Sequence, residues 1–593
     1  MSAEGGVLRV ANCSGFYGDR LSAAREMVDG GPIDVLTGDW LAELTMLILA
    51  RGRLKDPDAG FAKTFVTQMR DVLGDCVASG IKVVSNAGGL NPVGCADAVR
   101  AVAAELGVPA TVATVTGDDL MGRLDELRAE GVQFTNLDTG DDLDELGITP
   151  LTANAYLGGW GIANALERGA DVVITGRVTD AAVVMGPAAW HHAWTPYDWD
   201  ALAGALVAGH VIECGPQATG GNYSFFQSVD GLAHPGFPIA EIAADGTSVI
   251  TKHPGTGGRV DVGTVTAQLL YEIGEPRYFN PDVTARFDSI RLDEVGPDRV
   301  RISGVVGEPP PTTAKVAMNY LGGFRNSMTF GITGLDVEAK ADLLEHALWE
   351  RVGGRESFAE TDVVLVRSGR EDPRTNEDAV SQLRVTVKDA DQVKVGRAFS
   401  SAVVELALAN YPGFFATSPP GDGTPFGVYW PTLIPAGYLT HEVEVDAKTV
   451  TVRVAHSRKS ATADPADRVT AVALPAPPPA DADAVQVPLG RVCGARSGDK
   501  GGNANVGLWT ATPEAYAWLA EYLSVERFRA LVPEAAGLDV KRYRFDNLSA
   551  LNFVVVGLLG RGVADSTRSD PQAKGFGEYI RAKVVDVPAS LLG

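Results

Sequence analysis

A chain of 593 residues suffices for three or four units of ordinary domain size, and 45% hydrophobic against 21% charged residues describes a packed protein rather than a disordered one. A net charge of −24 with no local basic stripe excludes nucleic acid as a partner and reads as a device for solubility. The five cysteines (Cys13, Cys76, Cys95, Cys214, Cys493) are odd in number, scattered and without a CxxC pair, which argues against a disulfide framework or a structural zinc. The opening MSAEGGVLRVANCSGFYGD lacks a basic stretch leading into a long apolar one, and no run of about 18 apolar residues occurs. The expectation is a cytoplasmic protein with neither signal peptide nor membrane span.

Residues 1–200 alternate short apolar runs with longer amphipathic stretches, the pattern of βαβ units. Strands are predicted at Val7 to Asn12, Ile33 to Gly38, Ile81 to Asn86, Thr111 to Gly117 and Asp171 to Gly176. Helices are predicted in LAELTMLILARGR, FAKTFVTQMRDVLGDCVASG, NPVGCADAVRAVAAELG, LMGRLDELRAEG and AYLGGWGIANALERG. Several end in Gly, which suits a left-handed residue closing a helix. Strand runs with little alternation imply burial on both faces, so the fold class is α/β: a doubly wound, mostly parallel, Rossmann-like sheet. Residues 201–472 read as an elaborated α+β lobe of the same large domain, with strands expected at TVTAQLLYEI, SIRLDEV and RVRISGVVG. Helix-like segments follow at 336–351 and 397–411, with the strand DVVLVRSG between them and the hairpin HEVEVDAKTVTVRVAH after them. Residues 473–488 form a Pro/Ala/Asp linker that cannot bury a core. Residues 489–593 read as a compact α+β module with helices on one face of an antiparallel sheet.

Chemistry is expected where the N-terminal strands end. Each runs into small polar residues: Asn12-Cys13-Ser14-Gly15, Thr37-Gly38-Asp39, Asn86-Ala87-Gly88-Gly89, Thr116-Gly117-Asp118-Asp119 and Arg177-Val178-Thr179-Asp180. Ligands of open parallel sheets bind outside the carboxyl ends of strands, and glycine lets backbone N–H groups approach an anion. The segment after Ile212 is the densest in polar and glycine residues: Glu213, Cys214, Thr219, Gly220, Gly221 and Asn222. Asp39, Asp180 and Glu213 are candidate acids or bases, provided burial raises their pKa. Cys214 is a candidate nucleophile only if a basic neighbour lowers its pKa; otherwise it is an inert buried thiol. Asn12, Ser14, Gly15, Asn86, Gly88, Gly89 and the 219–222 glycine loop are candidate substrate contacts. Arg177, Lys315, Arg496 and Lys500 are candidate cations for a carboxylate or phosphate. GFYGDR is not GxGxxG and CGARSGDKGGNAN is not GxxxxGK[ST], so neither a nicotinamide cofactor nor a P-loop is supported. His191-His192 lack ligand spacing and read as a surface loop; His234 and His253 precede Pro-Gly and read as turn residues. No metal and no cofactor is predicted.

Taken in order, ANCSGFYGD, VLTGDWLAE, VSNAGGLNP, ITGRVTDAA, ECGPQATGGN and KHPGTGG resemble the acyclic terpene utilisation family. GRVCGARSGDKGGNANVGLW and NFVVVGLLGRGV resemble the ferredoxin-like domain that this family often carries at its C-terminus. The resemblance implies a place beside acyl-CoA carboxylases, hydratases and dehydrogenases of terpenoid and branched-acid catabolism; it brings no catalytic residue with it. Combined with the residues, it leads to an expected enzyme acting on an acyl-CoA or carboxylic substrate by acid/base chemistry: hydration, dehydration, isomerisation or C–C lysis, with a CoA thioester admitted as substrate. Glycine-loop N–H groups would hold the enolate oxygen. Two alternatives stand beside it, a non-catalytic assembly subunit for a carboxylase or hydratase and a phosphoester or polyphosphate hydrolase. A small-molecule substrate, no membrane and a homo-oligomer complete the expectation.

Overall fold

The computed structural model describes residues 6–453, 468–478 and 483–592. Parallel strands β1 (Leu8–Asn12), β2 (Val35–Gly38), β3 (Lys82–Ser85), β4 (Val112–Thr116) and, after the short β5 (Thr152–Ala155), β6 (Val172–Thr175) form the centre of a sheet in the order β1-β2-β3-β6-β4. Alternation along each strand builds two cores. Val10, Val35, Val84, Ala113 and Val173 join one, while Ala11, Leu36, Val83, Val112 and Ile174 join the other. Helices Ala23–Asp29, Lys63–Ser79 and Pro92–Leu106 cover the second core; Trp160–Glu167, Ala182–His191 and Trp199–Ile212 cover the first. Each fully buried Val, Leu or Ile contributes about 1.5–3 kcal/mol of transfer free energy, so both faces are sealed. Gly80 and Gly107 close two of these helices in the left-handed conformation, at φ +73° and +67°.

The parallel strands are the middle of a larger mixed sheet. Strands β7 (Pro238–Ile242) and β8 (Ser248–Lys252), then Arg299–Ser303 and Arg291–Gly296, extend it antiparallel beyond β1; the hairpin His441–Val445 and Lys448–Val452 extends it beyond β4. The last residues of the predicted hairpin, 454–456, lie outside the described residues. Two expectations fail locally. TVTAQLLYEI is mostly the helix Val262–Leu269, because Asp261 and Thr264 form a reciprocal capping box that outweighs the strand preference of the β-branched residues. AYLGG is not helical: β5 ends at Ala155, and the helix starts only at Trp160.

The C-terminal module has a four-stranded antiparallel sheet ordered Gly494–Lys500, Asn503–Trp509, Ala550–Val555, Val540–Phe545. Tyr516, Leu519, Phe528, Phe576 and Ile580 from three helices pack on one face. The predicted continuous helix after Pro513 breaks at Leu523, where Ser524 caps a second one. Residues 479–482 of the predicted linker lie outside the described residues, and its end, Ala484–Pro488, is a strand paired with Val584–Pro588. The module's other face is seated on residues 270–274: buried Asn505 donates to the Leu270 carbonyl and accepts from the Glu272 N–H, and buried Asn552 donates to the Ile273 and Gly274 carbonyls.

By packing, residues 1–319, 429–563 and 570–593 form one compact unit, and 320–428 with 564–569 form another. In the second, the latter part of the long strand Thr313–Thr333 pairs with Val380–Asp389, which pairs with Glu360–Val366; Leu344, Leu348, Phe399 and Val403 cover that sheet. Among the described residues, no helix is long and apolar enough to cross a membrane.

Candidate functional site

The chain leaves β3 toward the helix Pro92–Leu106 on one face and leaves β6 toward Ala182–His191 on the other. β3 and β6 are neighbours, so a crevice opens between their carboxyl ends, the position where open α/β sheets bind ligands. The strand-end turns are fastened to one another around it. The Asp39 N–H donates to the Ser14 carbonyl, and the Asn86 amide donates to the Asp39 carboxyl while its oxygen accepts from the Trp40 N–H at 2.8 Å. Buried Asp118, beyond β4, accepts from the Arg177 N–H and from the Asn154 amide, both at 2.8 Å. Arg177 in turn reaches Asp180 at 2.6 Å and the Leu41 carbonyl at 3.4 Å. All five turns therefore meet.

Side chains distant in sequence complete the cluster. Glu43 begins the helix Glu43–Lys55 just beyond Asp39. Lys315 lies on the strand segment paired with β5, next to Tyr156, and its Nζ sits 4.9 Å from the Tyr156 ring, 5.5 Å from the Tyr429 ring and 3.6 Å from Glu43. Arg177 stacks on Tyr156 at 4.2 Å, and the Tyr156 hydroxyl donates to Glu43. The helix Trp199–Ile212 delivers His210 and, at its C-terminal cap, Glu213, 3.4 Å apart. The C-terminal module supplies the remainder from the turn between its first two strands. Lys500 donates to the Glu272 carbonyl at 3.0 Å, and the turn is pinned by the Gly502 N–H and the Asn503 amide, both donating to Asp138. Lys574 and Arg496 both lie over the Tyr271 ring, at 4.5 and 4.4 Å, and Lys574 reaches Glu272 and Asp499 at 3.4 and 3.8 Å.

The electrostatics are those of a partly accessible recess. Lys315, Glu43 and Asp180 keep 35, 30 and 28% of their side chains accessible, yet desolvation is the largest influence on the titration of each. Burial, reinforced by Asp180, pushes Asp39 up to about 8. Burial raises Asp180 despite the opposing Arg177, and burial with Asp180 and Asp39 raises Glu213 strongly. Burial also pushes Glu43 up, but Lys315 and Arg177 outweigh it and hold this carboxyl at about 2. Burial and the neighbouring Lys315 lower Lys500. The recess thus gathers carboxyls pushed toward their protonated form beside cations, in a chain whose net charge is strongly negative.

Two family models match the chain. The model of the acyclic terpene utilisation family protein AtuA matches residues 8–445, and that of the AtuA ferredoxin-like domain matches residues 487–586. The chain belongs to the acyclic terpene utilisation family. No curated protein and no solved structure matches it. Membership in this family ties the chain to acyclic terpene utilisation; the residues must supply the chemistry.

Asp39, Asp180, Glu213, Cys214, Arg177, Lys315, Arg496 and Lys500 all fall in or against the recess. Cys214 has a basic neighbour in Lys574, but burial and then Glu213 and Glu272 outweigh it and raise the thiol well above its ordinary range. The predicted polar-glycine contacts have a different use. A Cβ on Gly15 would lie 2.5 Å from the Cys214 backbone, and one on Gly88 2.5 Å from the Thr175 carbonyl, so these glycines permit close packing of turns. The Gly15, Gly89, Gly220 and Gly221 N–H groups donate to Asp19, Asn86, Gln217 and Pro216, and are not free for an enolate oxygen. Asn12 donates to the Glu213 carbonyl and accepts from the Ser14 N–H, and the Ser14 hydroxyl donates to the Phe16 carbonyl. Thr219 donates to the Pro216 and Gly236 carbonyls, and Asn222 accepts from Arg496, so this loop braces a cation. His191 and His192 end a helix rather than lie in a loop; His192 stacks on Trp194. Among the described residues, no group of three or more His, Cys, Asp or Glu is placed to hold a metal. Sequence reading missed Glu43, Tyr156, His210, Tyr271, Glu272, Tyr429, Asp499 and Lys574. Of these only Glu43 carried a signal, standing four residues after Asp39 in the same turn-to-helix segment.

Proposed function

We propose that this protein is an enzyme that binds an anionic acyl substrate, a carboxylic acid or a CoA thioester of a branched skeleton, and moves protons on it with Asp39, Asp180 and Glu213. One observation carries the reading: carboxyls driven toward their protonated form by burial stand beside Arg177, Lys315 and Lys500, at a recess onto which Asp180, Glu43 and Lys315 stay partly open. A carboxylic acid near its pKa at working pH is a matched proton donor and acceptor. The cations attract the substrate's anionic group, and Arg177 with Lys315 stabilises the enolate oxygen that forms when a proton leaves the carbon next to the carbonyl. That role passes to them because the glycine N–H groups are engaged elsewhere. Glu43, ionised and against Lys315, fixes that ammonium rather than trading protons. Removing the proton next to the carbonyl while protonating the hydroxyl that leaves the β-carbon as water is dehydration, and the reverse is hydration. Taking a proton from the γ-carbon and returning one at the α-carbon is isomerisation. Proton removal from a β-hydroxyl opens the bond between α- and β-carbons, whose electron pair goes to the enolate.

The test is a thermal-shift screen of 3-methylbutanoyl-CoA, free CoA and 3-methylbutanoate. A bound probe at a hundred times its Kd stabilises the fold by about 2.7 kcal/mol. The reading expects stabilisation by the thioester or the acid that Lys315→Met weakens. No stabilisation by any of the three probes speaks against it.

A further inference from the structure

His210 and Glu213 form a dyad that the proposed reaction leaves without explanation. His210 is 1% and Glu213 4% exposed, on successive turns of one helix end. Their closest atoms, Nδ1 and Oε1, are 3.4 Å apart. Glu213 Oε2 lacks a hydrogen-bond partner, and the imidazole nitrogens make no well-directed one, although the Gln268 and Leu269 carbonyls lie against the ring. A buried polar atom left unpaired is costly, so an orphaned carboxyl oxygen beside a loosely held imidazole marks a place where partners come and go. Tyr278 and Phe287 flank the imidazole, with ring centroids at 5.2 and 5.5 Å, and leave it few ways to turn.

We infer that His210 is a proton relay behind Glu213, holding the Glu213 proton during the reaction and returning it. This rests on the reading of the recess as an acid/base site. The resting pair is neutral: carboxylic acid and imidazole. When substrate binds, the proton on Glu213 Oε1 passes to His210 Nδ1 and leaves a carboxylate. Oε2 then takes a proton from the substrate carbon, whose electron pair moves onto the carbonyl oxygen as an enolate. The enolate next takes the Oε2 proton at its new position, and the imidazolium returns its own proton to Oε1. No proton or electron is gained or lost over the cycle. The surroundings favour the neutral pair at rest and leave the charged state transient. Burial first and then Lys500 disfavour an imidazolium, while the Gln268 and Leu269 carbonyls support it. Burial first, then Asp180, Asp39 and Glu272, oppose a Glu213 carboxylate and Arg177 supports it; the Tyr278 ring lies beside the imidazole and its hydroxyl senses Glu213.

Two measurements test the relay. The first is deuterium uptake from D2O into the carbon next to the thioester of 3-methylbutanoyl-CoA. His210→Gln should slow it about 10- to 100-fold and flatten its pH profile, with probe affinity unchanged. His210→Gln/Glu213→Gln should be no slower than Glu213→Gln alone, because a relay and its client act as one unit. A wild-type rate and pH profile in His210→Gln, or losses that multiply, overturn the relay. Full-rate uptake in Glu213→Gln alone overturns the relay, which then has no client, and full-rate uptake in Asp180→Asn as well overturns instead the reading of the recess. The second needs no turnover: in 15N-histidine NMR of the whole chain, the resonance that His210→Gln removes should report a neutral ring at pH 7 and move when Glu213→Gln is made. An unmoved resonance, or an imidazolium at pH 7, refutes the pairing.

Discussion

Two lysines of this chain are set among carboxylates in opposite ways. In the second compact unit, Lys388 is 3% exposed and its Nζ contacts Asp565 at 3.0 Å and Glu360 at 2.9 Å. In the recess, Lys315 stands 3.6 Å from Glu43, spreads its charge over Tyr156 and Tyr429, and stays open to water. The first lysine is itself closed off from water and makes two short ionic contacts, one to buried Asp565 and one to half-exposed Glu360. The second is held in position while its charge remains available. Buried charge that is matched locally serves the fold, whereas charge that is matched loosely at the end of a parallel sheet is what a ligand can use.

The comparison breaks most readily at Lys388. Lys388→Met strips the buried Asp565 carboxylate of that cation and should destabilise the protein by about 3–5 kcal/mol in urea unfolding, without altering probe affinity in the surviving folded fraction. The pH dependence comes next. Folding raises the Asp39 pKa to about 8, so the folded state keeps a proton that the unfolded chain releases near 4. The contribution of Asp39 is full below about 4 and is lost as pH rises toward 8, at up to about 1.4 kcal/mol per pH unit. Asp39→Asn should reduce that decline, measured as urea midpoints across the window; an unchanged slope means that Asp39 titrates normally. At the module's seat, Asn552→Ala removes donors to two buried carbonyls and should cost about 1–3 kcal/mol, read by thermal unfolding. The smallest effect on the fold belongs to Lys315→Met, which should weaken 3-methylbutanoyl-CoA about tenfold by calorimetry and shift Tm little. A Tm loss as large as that of Lys388→Met would erase the distinction between the two lysines.

What the sequence disclosed depended on local signal. VVIT and VLTG are apolar on both faces and announced a sheet covered on both sides, and the polar turns that follow them announced the edge where a ligand binds. The helix Trp199–Ile212 escaped because its small apolar residues surround it completely and leave no periodic stripe. TANA escaped as a strand because Ala and Asn are poor markers of strands and its partner lies in the segment Val316–Asn319. The carboxylates Asp39, Asp180 and Glu213 and the cations Arg177, Lys315 and Lys500 were visible as residue types beside turns. Tyr156, Tyr429, Glu272 and Lys574 were not, since only long-range packing brings them together. The glycines misled: Gly15 and Gly88 were read as room for a ligand, and they are room for the next turn.

The most direct test is proton exchange itself. Wild-type protein incubated in D2O with 3-methylbutanoyl-CoA should place deuterium on the carbon beside the thioester. Asp180→Asn and Glu213→Gln should bind the probe equally well and exchange it about 10²–10⁴-fold more slowly. Bound probe that never exchanges in the wild type, or exchange at full rate in both variants, would contradict an acid/base role for the recess.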